Sequence, residues 1–266
     1  MMLIDTHCHL DAAQFNADRD RIASLALQQG VSHIVIPAVA RHNFDAVINL
    51  CYRHNHCAYA LGIHPMYVND ASLDDIETLK TYVNENHPVA IGEIGLDYFV
   101  TQENIEKQVT FFTEQLKIAK QHDLPVILHA RHAMDDVLKY LRRYTVNGGI
   151  VHAFNGSFQQ AEQLIALGFK LGFGGAMTYS RASKIRELAK TLPLEVIVLE
   201  TDSPDIPPEW VGSQGRNTPL ELSKIAQVLA DLKQVNVAQV LDITSANALN
   251  ILPKLARLYT SANVLH

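Results

Sequence analysis

The chain has 266 residues, 48% of them hydrophobic and 19% charged, with a mean hydropathy of +0.01, which describes a globule able to bury one substantial core. A formal net charge of −6 speaks against tight, nonspecific duplex binding, which needs an excess of Lys and Arg; a nucleic-acid substrate would have to be held at a local site, with bound metal supplying positive charge. Three scattered cysteines, no signal-peptide pattern in MMLIDTHCHLD and no apolar run long enough to span a bilayer exclude a disulfide framework and a membrane span and predict a cytoplasmic protein.

Along the chain, short apolar runs alternate with longer helical stretches. Leu3–Thr6 is the first strand. Asp18–Gln29 follows, with Ile22, Leu25 and Ala26 at helical spacing and a stop at Gly30. Further strand-like runs are His33–Val39, Ala58–Gly62 and Val89–Gly92. Asn104–His122 carries a stripe of Ile105, Val109, Phe112, Leu116 and Ala119. Then come strands at Pro125–Leu128 and Gly149–His152, a helix at Phe158–Leu167 stopping at Gly168, and strands at Lys170–Phe173 and Val196–Glu200. The run interiors are nearly continuous in hydrophobicity, as in a parallel sheet covered by helices. Eight βα units predict an α/β fold, a single-domain (β/α)8 TIM barrel over residues 1–258 with a C-terminal tail over 259–266. A doubly wound open sheet is the alternative, but it would more often carry a Gly-rich phosphate turn after its first strand. Here His-Cys-His follows instead. The final helical segment, Val237–Leu252, is expected across the barrel exterior.

In such a barrel the C-terminal strand ends converge on one face and hold the active site. Thirteen histidines are present, and this filter sorts them. His33, His56, His87 and His122 precede strands, His54 lies on a helix-to-strand approach and His266 is terminal, so these are read as surface or capping residues. His42 and His132 are read as helix starters. His7, His9, His64, His129 and His152 stand at strand ends. His7 and His9 are two apart, so they share a face and can grip one ion, while Cys8 points away as a packing residue. Imidazole is the commonest metal ligand near neutral pH. Glu93 and Asp202 each end an apolar strand, where an unpaired carboxylate is costly; buried ion pairs are the bland alternative to metal ligation. The chain lacks a Gly-x-Ser-x-Gly elbow and a Cys-x-x-Cys pair.

The segments IDTHCHLD, GIHP, IGEIGLDY, PVILHAR, GGIVHAF, GFGG and VLETDSP, with GRNTP after the last, resemble the TatD-type metal-dependent deoxyribonucleases of the amidohydrolase-like barrel superfamily, and among them the YjjV branch. The motifs run in order from residue 4 to residue 219. The resemblance implies a two-ion site in which His7, His9 and Asp202 hold one ion, His129 and His152 the other, with Glu93 between them. Thr218 stands where many family members have an acidic residue, whereas Arg216, Asn217 and Pro219 are kept.

These readings predict a metal-dependent hydrolase of a phosphate ester, with DNA as the implied substrate and no obligate protein partner. Two divalent ions per chain would activate water, and Asp202, with Glu93, would complete the catalytic set. His64, Arg131 and Arg216 are candidates for contacting phosphate; surface ion pairing is the alternative for the two arginines. Mixed His and carboxylate ligands suit Zn2+, Mn2+, Fe2+ or Co2+, whereas the family is described as Mg2+-dependent. Hydrolysis of an amide, lactone or carboxylic ester uses the same barrel and ligands, and a non-enzymatic metal-binding protein is a third reading. Tyr67, Tyr98 and Trp210 are too dispersed to count as a base-stacking platform.

Overall fold

The structure is a computed structural model and describes residues 2–99 and 104–256; the expected boundary between barrel and tail lies outside them. Eight parallel strands follow one another round a barrel: β1 (Leu3–Asp5), β2 (Val31–Pro37), β3 (Cys57–Leu61), β4 (Ala90–Asp97), β5 (Val126–Arg131), β6 (Gly149–Val151), β7 (Phe169–Phe173) and β8 (Ile197–Leu199). The seam between β8 and β1 is bridged just beyond the strand ends. There Thr6 N–H donates to Leu199 O (3.0 Å), Asp202 N–H to His7 O (2.8 Å) and His9 N–H to Ser203 O (2.8 Å). The fold is the expected single-domain TIM barrel.

Helices α1 (Arg19–Gln28), α2 (Phe44–Arg53), α3 (Leu73–Asn86), α4 (Ile105–Gln121), α5 (Met134–Arg143), α6 (Phe158–Ala166), α7 (Ser183–Thr191) and α8 (Leu222–Lys233) surround the sheet. Their stripes are buried against it; Phe112, Leu116 and Ala119 of α4, for instance, are fully covered. Local chemistry sets the ends. Before α6, Ser157 Oγ accepts from Gln160 N–H and Gln160 Oε1 from Ser157 N–H, a reciprocal cap that satisfies two orphan donors.

The last helix, α9 (Val237–Ile251), departs from expectation. It was expected on the exterior, but Ala248, and Leu252 and Leu255 just after it, join the apolar cluster inside the barrel with Ile4, Val35, Ala58, Ala60, Ala90, Ile127, Ile150 and Val198. Asn247 Nδ2 donates to Leu194 O and Ile197 O at the start of β8. The helix therefore plugs the end of the barrel opposite the C-terminal strand ends. Three of the strand residues there are alanines, Ala58, Ala60 and Ala90, and the apolar plug fills the space they leave.

β4 is longer than the run Val89–Gly92, and its pairing with β5 skips between Ile91 and Ile94. Two glycines permit this. A Cβ on Gly92 would lie 2.7 Å from Ile127 Cβ, and one on Gly95, at φ +145, would lie 1.9 Å from His129 O. The bulge carries Glu93 and lets the strand run on to Asp97.

Candidate metal centre

Six side chains from five strand ends meet at the C-terminal mouth. His7 and His9 follow β1, His64 follows β3, Glu93 lies in β4, His129 in β5, and His152 directly after β6. Asp202, three residues after β8 and at φ 54, makes a seventh. Glu93 is only 2% exposed and stands at the middle. Its Oε2 lies 3.2 Å from His7 Nε2 and 3.4 Å from His9 Nε2. Its Oε1 lies 2.9 Å from His152 Nε2, 3.0 Å from His129 Nδ1 and 3.4 Å from His64 Nε2. One carboxylate thus faces two sets of imidazoles, one with each oxygen. Asp202 Oδ1 stands 3.5 Å from His7 Nε2 and 3.7 Å from His9 Nε2.

These donors fit divalent cations. His7 Nε2 and His9 Nε2 are 3.1 Å apart, and His129 Nδ1 and His152 Nε2 3.2 Å. The outward Nδ1 atoms of His7 and His152 are buried without a hydrogen-bond partner. Neutral imidazole carries one N–H, so a proton on either outward nitrogen leaves a lone pair aimed into a cluster of other lone pairs. A cation resolves that crowding, and mixed imidazole and carboxylate donors suit Zn2+, Mn2+, Fe2+ or Co2+. Among the described residues three groups of candidate ligand atoms lie close enough to hold an ion: His7, His9 and Asp202; His7, Glu93 and His152; and His64, Glu93 and His129. The first is the expected trio. His64, read from sequence as a phosphate contact, stands with the ligands.

Without a cation, Glu93 sets the protonation of its neighbours. Burial alone would raise the Glu93 carboxyl, but His152, His64 and His7 hold it well below the usual range. His9 and His152 are opposed by burial yet are pulled up, to about 9 and about 10, mainly by Glu93. His64 is pushed down to about 4, and His7 is held well below its ordinary value, both chiefly by burial.

Sequence reading missed the residues behind the ligands. Asp97 Oδ2 accepts from His129 Nε2 at 2.9 Å, which leaves the His129 Nδ1 lone pair facing the cluster. Its Oδ1 accepts from Phe99 N–H at 2.9 Å. The argument that singled out Glu93, an acid on an apolar strand, applies equally to Asp97 once β4 is known to reach it. Asp97→Asn offers one acceptor for two donors, so metal affinity is expected to fall about 10- to 100-fold, measured by competition with a chelating dye. Asp5, buried between β1 and β8, accepts from Thr201 N–H (3.0 Å) and Thr201 Oγ1 (2.7 Å), and Asn217 Nδ2 ties Thr201 O, Asp205 O and Ile206 O. Together they hold the loop that carries Asp202. Cys8 packs as expected, buried with its Sγ 3.0 Å from Ser203 Oγ.

Among the described residues neither arginine hydrogen-bonds or ion-pairs with the cluster. Arg216 places both terminal nitrogens on Asp18, each at 2.8 Å, and lies over the Phe15 ring, so its fork is engaged by a carboxylate. Arg131 ends β5 and stacks on Phe99.

A parallel βα barrel whose C-terminal mouth converges five imidazoles on a central carboxylate is the architecture of a metal-dependent hydrolase. The family model described as TatD related DNase matches residues 4–253, and the chain belongs to that family. It is 42% identical over 236 residues to the metal-dependent hydrolase YjjV of Escherichia coli K12, covering 87% of this chain and 90% of that one. It is 32% identical over 272 residues to human deoxyribonuclease TATDN3, covering 96% of each. The crystal structure of E. coli YjjV, a TatD homologue, superposes with a TM-score of 0.90 at 37% identity, over 94% of this chain and 98% of that one. Among the described residues no helix is long and apolar enough to cross a membrane.

Proposed function

We propose that this hydrolase cleaves phosphodiester bonds in DNA by water attack, with two divalent ions at the mouth. The observation that carries the reading is the two-sided Glu93 carboxylate, whose Oε2 faces His7 and His9 and whose Oε1 faces His64, His129 and His152. The human relative's name, deoxyribonuclease TATDN3, agrees with that substrate class. Bound divalent ions supply Lewis acidity toward phosphate oxygens and lower the pKa of water.

The chain's own residues do the rest. His7, His9 and Asp202 would hold one ion and His64, Glu93 and His129 the other, with His152, grouped with His7 and Glu93, between them. Asp202, which belongs to one ligand group only, orients the attacking water and takes its proton as the P–O bond to the leaving oxygen breaks. Asp97 fixes the His129 tautomer. Buried walls exclude bulk water, which strengthens each of these interactions. With its three cysteines free and buried, the chain suits the reducing cytoplasm.

The test is a substrate panel with metal-loaded protein: single-stranded DNA, a base-free phosphodiester, and sets of amides and lactones. Turnover of the phosphodiesters is expected. Turnover confined to the carbon-centred substrates would sink the reading and favour amide or lactone hydrolysis on the same ligands.

A further inference from the structure

Glu200 follows β8 directly and is only 1% exposed, and it belongs to none of the three ligand groups. A carboxyl group buried this deeply needs partners. Its Oε1 accepts from Ala153 N–H, at the residue that turns the chain after His152 with φ 44. Its Oε2 has no hydrogen-bond partner. His152 Nδ1 is likewise buried without one, and it lies 3.9 Å from Glu200 Oε1. A potential donor and an acceptor, both orphaned, thus sit on neighbouring side chains behind the cluster. A shift of roughly 1 Å brings the two groups into hydrogen-bond range, and pairing them removes the cost of two unsatisfied buried atoms.

Strand β7 makes the room for this carboxylate. A Cβ on Gly172 would lie 2.1 Å from Glu200 Oε2, and one on Gly174 would lie 2.7 Å from Glu200 O. Phe154 N–H donates to Gly172 O at 3.0 Å and Glu200 N–H to Phe173 O at 3.3 Å, so the turn after His152 and the acid behind it are tied to the same short stretch. The GFGG motif is therefore the seat of the Glu200 side chain.

The consequence falls on the other nitrogen of the ring. His152 Nε2 stands 2.9 Å from Glu93 Oε1. With Nδ1 unpartnered, a neutral ring gains most by placing its single proton on Nε2 and donating it to Glu93, and a protonated nitrogen cannot ligate a metal. A carboxylate at Nδ1 draws the proton to the far side and leaves the Nε2 lone pair facing the cluster. We infer that Glu200 is a positioning residue for His152, accepting from Nδ1–H and so fixing the ring as an Nε2 ligand. Asp97 does the corresponding work for His129 from the opposite nitrogen. The role is the same for a phosphodiester or an amide substrate, so it does not depend on the substrate reading.

The test is Glu200→Gln, which keeps the shape but offers one acceptor to two donors, Ala153 N–H and His152 Nδ1–H. Nuclear magnetic resonance of Zn2+-loaded protein carrying isotope-labelled histidine is expected to show a slowly exchanging proton on His152 Nδ1 in the wild type. That signal is lost in the variant. Zinc affinity, read by competition with a chelating dye, falls about 10- to 100-fold. Gly172→Ala, which displaces the carboxylate without changing any charge, gives the same two changes, and circular dichroism checks that both variants are folded. A loaded wild type whose His152 carries no proton on Nδ1 overturns the assignment, and this measurement needs no variant. Zinc affinity in folded Glu200→Gln within about twofold of the wild type, against the loss expected for such a partner, overturns it as well.

Discussion

Replacing Asp202 by asparagine is expected to lower kcat by about 10²- to 10⁴-fold, the range a positioned general base contributes. The substitution keeps size and shape, so the loop tied by Asp202 N–H to His7 O and by Asn217 to Thr201 O should persist, and the melting temperature should move little. The charge and the proton-accepting oxygen are what is lost. Burial raises the Asp202 carboxyl above its usual range, while His152 and His9 oppose that rise. A raised carboxyl is a better base near neutral pH than an exposed aspartate. Because Asp202 also belongs to a ligand group, metal content must be measured alongside turnover. An Asn variant that retains its metal and loses less than tenfold in kcat would show that another group takes the proton.

The second large effect is the dependence of metal loading on pH. In the metal-free protein His9 and His152 titrate near 9 and 10, so both are protonated at pH 7. Ligation needs neutral imidazole. Because His129 is raised as well, adding Zn2+ or Mn2+ to the chelated protein at pH 7 is expected to release at least two protons per chain, and apparent affinity should tighten as pH rises toward about 10. Titration calorimetry in buffers of different ionisation enthalpy reads the proton count directly, and a count near zero would contradict this account.

The same shifts govern the stability of the metal-free chain. The unfolded value for His is about 6.5. His9 and His152 are raised above it by folding, so their stabilising contribution is complete below about pH 6.5 and is lost as pH rises through about 9 and about 10. His64 works in the opposite sense. Its folded value near 4 means that the unfolded chain takes up a proton first as pH falls below about 6.5, so stability declines toward pH 4. The gap in melting temperature between metal-loaded and metal-free protein should consequently widen as pH rises above neutrality.

The sequence by itself determined the barrel and most of the side chains gathered at its mouth. Eight apolar runs separated by amphipathic stretches admit few other folds, and position at a strand end picked His7, His9, His64, Glu93, His129, His152 and Asp202 from the chain's many titratable residues. That reading worked because period-2 alternation and the parallel barrel's polarity are local properties of the strands. What only the tertiary structure decided lay between elements. The length of β4 depended on whether Gly92 and Gly95 could approach β5, and that contact, made across strands, brought in Asp97. His64 moved from presumed phosphate contact into the ligand cluster because the rings from β3 and β5 meet around one carboxylate. The forks of Arg216 and Arg131 look alike in sequence. Asp18 occupies the first and Phe99 supports the second, since the partners of a long, flexible cation are set by folding and not by its neighbours in the chain.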